Sequence, residues 1–540
     1  MAAPTSQYSP ADSATFTETW QLQKAARSST GGMVASQHYA ASRVGADVLA
    51  RGGNAVDAAI ATSLMIGTVE PWMSGLGGGG FMLYREQQSN TVHSVEFGMR
   101  APAGLDVSNY PLVAGQDDDL FGWPAVQNNR NVVGPHSIAV PGYLAGISAA
   151  AERFASMSWA DLINPAIDSA SAGFAVDWYA TLKIASAAPT LSQYSTSAST
   201  YLPSGFVPAG EWGGPLPSVQ LGNLAATLTR LRDEGADDFY RGDLAAGVVA
   251  DCQALGSSLS LNDLADYAPT FGVADTLAYR DATIYTAPGL TAGPTLQDTL
   301  QRIAASGWTP GSASDADTSL CYANALRDAY AHRLLTLGDL DDSAAPGCTT
   351  HITVVDKHGN MVSLTQTLLS VFGSKVMLPQ SGILMNNGMM WFDPRADKPN
   401  SMAPGKRPLS NMCPTLFSTA DGSYYALGAS GGRRIMPAVM QLLSSVVDRN
   451  MDINTAVHTP RIDVSGSDQV CVDSRLEAEV AQQLNAAGHN VLLVPNGVYP
   501  AMYACPNIIG RSASGVNTGA AYVASPWAEV ALQEASGSHV

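Results

Sequence analysis

Ordered patterning begins at Met33. A short apolar run at 33–36 predicts a strand, and helical spacing then predicts helices over 40–50 and 54–69. The second helix is built from small residues and suits close packing. Residues 1–29, rich in Ser, Thr and Ala, predict a loosely ordered lead-in. Helical periodicity returns over 158–185, 217–256 and 318–337. Between these, 115–131 reads as an excursion loop, 311–316 as a loop, and the Ser/Thr/Gly/Pro-rich 186–215 as a long loop or surface flap. The segment 338–348 (GDLDDSAAPGC) breaks all periodicity. Beyond it the pattern predicts strands at 351–356, 361–367, 382–385 and 424–428, then a helix over 437–450. No internal repeat is visible.

That break runs straight into a candidate hairpin. In Thr349-Thr350-His351-Ile352-Thr353-Val354-Val355-Asp356, Ile352 and Val354 alternate with their neighbours, as do Val362 and Leu364 in the facing run. Gly359 stands where a three-residue hairpin loop takes a left-handed residue. Pairing Asp356 with Asn360 puts Thr349 opposite Thr367, with Thr365 and Thr367 on one face. A threonine hydroxyl is a poor nucleophile and needs a base within hydrogen-bond reach. Cutting the bond between Cys348 and Thr349 gives Thr349 a free α-amino group with a pKa near ~8, able to act as its own base. Thr367 can then orient the Thr349 hydroxyl. Cross-strand Thr–Thr pairs are also ordinary sheet stabilisers, so the hairpin alone leaves both roles open.

Composition narrows the class. The chain has 540 residues, which predicts two or more domains, and 46% hydrophobic against 14% charged residues is a core-rich balance, far from disorder. A formal charge of −18 and the lack of a basic run argue against nucleic acid and anionic membrane as partners. Residues 1–24 are polar and unlike a signal peptide; the apolar stretch 55–67 is too short to span a bilayer and contains Asp57. A cytoplasmic enzyme is the expectation, ahead of a periplasmic one. The six scattered cysteines, with no CxxC pair, fit a reduced compartment. Nine isolated histidines and no ligand-spaced cluster predict no metal, and nothing implies a cofactor.

Motifs spread over nearly the whole chain carry a resemblance. They include Gly52-Gly53-Asn54-Ala55-Val56-Asp57-Ala58-Ala59, Val69-Glu70-Pro71, Gly77-Gly78-Gly79-Gly80-Phe81, Ala139-Val140-Pro141-Gly142 and Phe239-Tyr240-Arg241-Gly242. Thr349-Thr350-His351, Val354-Val355-Asp356, Gly359-Asn360, Lys406-Arg407-Pro408-Leu409-Ser410 and Gly431-Gly432 follow in order. Together they resemble the γ-glutamyltransferase family of N-terminal-nucleophile hydrolases. The resemblance implies an α+β fold, a four-layer αββα sandwich made from one precursor. It implies cleavage at Cys348–Thr349 into a large subunit, 1–348, and a small subunit, 349–540, interleaved in one unit; a pair of such heterodimers is a further oligomeric alternative. By position Thr349 resembles the family's nucleophile, Thr367 the threonine bonded to it, and Gly431 and Gly432 the oxyanion-hole pair.

The departures bear on substrate. The arginine that holds a γ-glutamyl α-carboxylate in the family is replaced at its matching position by Gly98, with Arg100 two residues on. The positions that grip the α-amino group carry Leu369, Gly388 and Trp391, whose side chains offer a cation no acceptor. Of the serine pair at the carboxylate, Ser410 remains and Asn411 replaces the second. A pocket with Arg100, Gly388, Trp391, Ser410 and Asn411 suits a small acidic acyl group lacking an α-amino group, as in cephalosporin or glutaryl acylase-like and oxamate amidohydrolase-like branches. Hydrolysis is favoured over transfer, and a small-molecule amide is the expected partner. The alternative within the family is a true γ-glutamyltransferase or glutathione hydrolase.

Rivals of other classes remain. Gly428-Ala429-Ser430-Gly431-Gly432 matches the GxSxG nucleophile elbow, with Asp448 or Asp452 and His458 as partners. The glycines at 75–80 lack the Lys-Ser/Thr of a phosphate loop and predict a tight turn. His351 can line the pocket or simply pack, Cys348 can be reactive or incidental, and the whole chain could be a non-catalytic scaffold.

Overall fold

The computed structural model describes residues 24–116, 123–336, 348–465, 469–499 and 502–534. Its centre is a pair of seven-stranded sheets. In chain order the strands are β1 (Arg27–Ser29), β2 (Met33–Ser36), β3 (Gly79–Glu86), β4 (Thr91–Phe97), β5 (Thr270–Val273), β6 (Asp275–Tyr279) and β7 (Ala282–Thr286). They continue with β8 (Cys348–Val355), β9 (Met361–Leu369), β10 (Thr415–Ser418), β11 (Tyr424–Ser430), β12 (Cys505–Arg511), β13 (Asn517–Ala521) and β14 (Glu529–Leu532). One sheet runs β14-β2-β8-β9-β3-β4-β5, the other β1-β13-β12-β11-β10-β7-β6. The principal helices are α1 (Tyr39–Ala50), α2 (Ala55–Val69), α3 (Tyr143–Phe154), α4 (Gly293–Ala305), α5 (Asp315–Thr336) and α6 (Ile435–Val447).

Strand alternation sorts side chains into layers. Val34, Ile352, Val354, Val362 and Leu364 face outward and pack on α1, α2 and α3. Met33, Ala35, Val355 and Met361 face inward and meet Leu416, Ala426, Ile509 and Ala521 of the second sheet. Phe417, Leu427 and Ile508 of that sheet face out onto α4, α5 and α6. The result is the αββα sandwich, with strands from before and after residue 348 mixed in both sheets rather than two successive domains.

Local chemistry fixes the elements. Asn54 caps α2 by accepting from the Val56 and Asp57 amides, while Asp57 accepts from the Asn54 amide, a reciprocal capping box. The hairpin turns where expected: the Asp356 amide donates to the Asn360 carbonyl at 3.1 Å, and Gly359 has φ +93°.

Three readings of the sequence need correction. The region 186–215 is not one loop, because the helix Trp178–Leu191 runs into it and Ser195–Tyr201 follows. Burial of Ile184, Ala187, Leu191 and Tyr201 in the helical layer outweighs a loop-like composition. Residues 382–385 form no strand; Leu384 and Met385 make only isolated bridges, to Met377 and Gly77. The excursion at 115–131 holds a short pairing of Leu112–Gln116 with Pro124–Val126.

Candidate active site

The hairpin register follows the sequence pattern from Val355↔Met361 to Thr350↔Gln366 and then slips: Cys348 pairs with Leu369, so the extra residue lies in β9, where Thr367 and Leu368 together face Thr349. Thr349 therefore sits at the irregular end of β8, 1% exposed, beside the Thr367 strand rather than squarely paired with Thr367. A single extra residue re-aims a side chain in this way and has no sequence signature. The Leu369 amide donates to Thr367 Oγ1 at 2.8 Å. Leu369 itself has φ +88°, a strained conformation for a branched, fully buried residue. The Cys348 side chain lies outside the described residues.

The glycine pair reaches the same end from the opposite sheet. The His351 ring lies against Gly428, and a Cβ there would fall 2.2 Å from the ring. Ser363, across from Thr353, donates to the Leu427 carbonyl at 2.9 Å. Moving from Thr353 back towards Thr349 thus corresponds to moving from Leu427 forward along β11, whose end turns into Gly431 and Gly432. Both are left-handed, with φ +134° and +64°. At Gly431 a Cβ would lie 2.7 Å from the Ala504 Cα, so the turn requires glycine.

Behind Thr349 lies a buried polar network. His351 Nδ1 is 2.9 Å from Thr365 Oγ1, and Nε2 is 3.1 Å from Thr353 Oγ1. Asn507 Nδ2 donates to the His351 carbonyl at 2.9 Å, so its Oδ1 must be the acceptor for Thr353. Thr353 then has only lone pairs for His351, which carries its proton on Nε2 and accepts from Thr365 at Nδ1. Full burial pushes this imidazole down to about 3. It is a neutral, packed histidine at working pH.

The substrate candidates separate into two groups. Trp391 is fully buried with Met99, Met390, Met402, Met412, Phe81 and Leu369 in an apolar cluster beside the hairpin end. Gly388 opens the short turn to Trp391; a Cβ there would come within 2.7 Å of Ala139 and Met99. Ser410 and Asn411 are buried next to Met412. Arg100 lies elsewhere. Its guanidinium stacks 5.5 Å above the Tyr267 ring, in a cavity of about 200 Å³ lined with Glu96, Gly98 and Arg407 but by none of the other candidates.

The sequence predicts the α5 helix but not its part in the site. Tyr330 donates to the Arg433 carbonyl at 2.8 Å, bracing the glycine turn. One turn on, Arg333 donates to the Ser410 carbonyl at 2.8 Å and to Asn411 Oδ1 at 3.4 Å. The signal was available: Tyr322, Leu326, Ala329 and Arg333 share one buried stripe, so an arginine occupies an apolar position. Glu70 was also missed as a titratable group. It is buried, its Oε2 has no hydrogen-bond partner among the described residues, and burial pushes it up to about 8.

The serine elbow is not assembled. Ser430 Oγ accepts from Gln37. Asp448 is held by Tyr279, Arg280 and Ser444, Asp452 caps its helix through Thr455, and His458 Nδ1 meets the Asn454 carbonyl.

Comparison with known proteins bears on the family and the fold. The family model Gamma-glutamyltranspeptidase matches residues 41–348 and 341–522. Acylase ACY 1 proenzyme of Pseudomonas sp. (strain SE83) is 30% identical over 539 residues, covering 92% of this chain and 93% of that protein. Glutathione hydrolase proenzyme of Bacillus subtilis (strain 168) is 28% identical over 516 residues, 85% of each chain. The crystal structure of cephalosporin acylase from Bacillus halodurans shares the fold, with a TM-score of 0.82 at 22% identity over 96% of this chain and 98% of that one. With the sandwich and these matches together, the chain belongs to the gamma-glutamyltranspeptidase family and is an amide hydrolase.

Proposed function

We propose that this protein cleaves itself before Thr349 and then hydrolyses the amide of a small acidic acyl compound through a threonyl ester. In the first step Thr349 Oγ attacks the Cys348 carbonyl carbon. The peptide C–N bond breaks, the nitrogen takes the hydroxyl proton, and water hydrolyses the resulting ester to leave a Cys348 carboxylate and a free Thr349 amine. In the second, that amine accepts the hydroxyl proton as Oγ attacks the substrate carbonyl. Amide N–H groups of Gly431 and Gly432 are the donors proposed for the oxyanion, a term worth about 3–4 kcal/mol when one such donor is lost. The leaving amine takes the proton, and water releases the acid. One observation carries the reading: a buried threonine facing a β-bulge at a strand end, with two left-handed glycines reaching the same end.

The acyl preference rests on Leu369, Gly388 and Trp391, none of which can accept from an ammonium, and on the apolar cluster around them. The relative named as a glutathione hydrolase keeps the γ-glutamyl alternative in play. The test begins with intact mass. Wild type should give fragments 1–348 and 349–540 and Thr349→Ala a single chain; a variant still cut at that bond removes Thr349 from its role. Glutathione, γ-glutamyl anilide, glutaryl amides and oxamate assayed side by side then decide the substrate, with strong glutathione turnover refuting the acidic-acyl choice.

A further inference from the structure

Arg333 is 2% exposed, and no carboxylate reaches it among the described residues. Its guanidinium donates to the Thr291 carbonyl at 3.0 Å, Thr295 Oγ1 at 2.8 Å, the Ser410 carbonyl at 2.8 Å and Asn411 Oδ1 at 3.4 Å. All four partners are neutral, so no negative charge among the described residues offsets this buried cation. Such a charge is costly.

That contact also fixes the Asn411 amide. With its oxygen on the guanidinium, its NH2 must point away, and Nδ2 is buried with no acceptor among the described residues. The reverse orientation would set donor against donor. Beside it, Ser410 Oγ already accepts from the Met412 amide at 3.1 Å, which leaves its proton as the group to offer. Trp391 Nε1, on the neighbouring apolar cluster, likewise has no acceptor among the described residues. Ser410 Oγ and Asn411 Nδ2 thus both have protons to offer, beside a cation that no described carboxylate pairs.

We propose that Arg333 is the positioning residue that sets the charge preference of the acyl pocket: by holding Asn411 Oδ1 it turns Ser410 and Asn411 into an all-donor seat for a substrate carboxylate. The proposal rests on the acidic-acyl reading above and adds to it the residue that enforces it. Arg333 touches no substrate; it acts through Asn411.

The test uses the self-cleaved enzyme with glutaryl para-nitroanilide and its neutral carboxamide isostere. Wild type should favour the carboxylate by about 10- to 100-fold in kcat/KM, the range for a charge-assisted contact. Asn411→Asp gives Arg333 a carboxylate of its own. It should raise KM for the glutaryl substrate about tenfold or more above any rise in the isostere's KM, without lowering the thermal midpoint. Arg333→Gln should lose the same preference and Arg333→Lys regain part of it. A purely structural role would depress both substrates alike. If Arg333→Gln does not fold, Asn411→Asp decides. Variants that keep the wild-type preference overturn the proposal and leave the acidic-acyl reading standing. A wild type indifferent to the charge, or one that turns over only glutathione, overturns both.

Discussion

The His351 network and the Arg333 corner are both fully buried and both polar, yet they are built on opposite logic. Around His351 each proton has one place: Thr365 donates to Nδ1, Nε2 donates to Thr353, Thr353 to Asn507, and Asn507 back to the His351 carbonyl. Around Arg333 the Asn411 NH2 lacks an acceptor and no carboxylate meets the cation among the described residues. A closed network rigidifies; a half-satisfied one is destabilising unless something completes it. The first belongs to holding β8 against the second sheet, and the second has the character of a site.

The comparison breaks most visibly in stability. Thr353→Val strands both His351 Nε2–H and Asn507 Oδ1, and should cost about 2–4 kcal/mol, read as a lowered denaturation midpoint with KM unchanged. An unaltered midpoint would mean the network is not closed. Next comes acid. His351 and His38 are both pushed down to about 3 by burial. Between the ordinary pKa of about 6.5 and that value the unfolded chain binds protons that the native one does not. Stability should therefore fall as pH drops through this window, by about 1.4 kcal/mol per unit for each group. Urea midpoints from pH 7 to 4 for wild type and His351→Gln check it; the variant's slope should be shallower by one proton.

Glu70 runs the other way. Its acid is pushed up to about 8 from 4.5, so the native state holds a proton the unfolded chain has lost, and stability declines as pH rises between those values. Glu70→Gln should flatten that limb, and an unchanged limb would locate the titration elsewhere. The smallest effect concerns the rival elbow: Ser430→Ala removes one bond from Gln37, costs about 1 kcal/mol, and should leave amide turnover within about threefold. Abolished turnover with intact folding would revive the serine mechanism.

Much of this was legible in the sequence where signals are local. The Asp356–Gly359–Asn360 turn and the alternating β-branched residues fix the hairpin register over most of its length. The bulge opposite Thr349 was not legible, because one extra residue in β9 leaves no periodic trace. The helix Ser195–Tyr201 was hidden by a composition that reads as loop. The polarity of the Asn411 corner depends on contacts with residues 291, 295 and 333, far apart in the chain, that only the fold brings together. Arg100 shows the converse: adjacency in sequence to Gly98 suggested a role, but its side chain points into a different cavity.

The mixed strand order has a consequence for a severed chain. Were the bond before Thr349 cut, β8 would lie with β2 from the other piece on one side and its own hairpin partner β9 on the other, while β9 in turn borders β3 from the other piece. Each polypeptide would be woven through the other like warp and weft. Dilution could not part them; only unravelling both sheets could, and two genes encoding the halves would have to fold their products together.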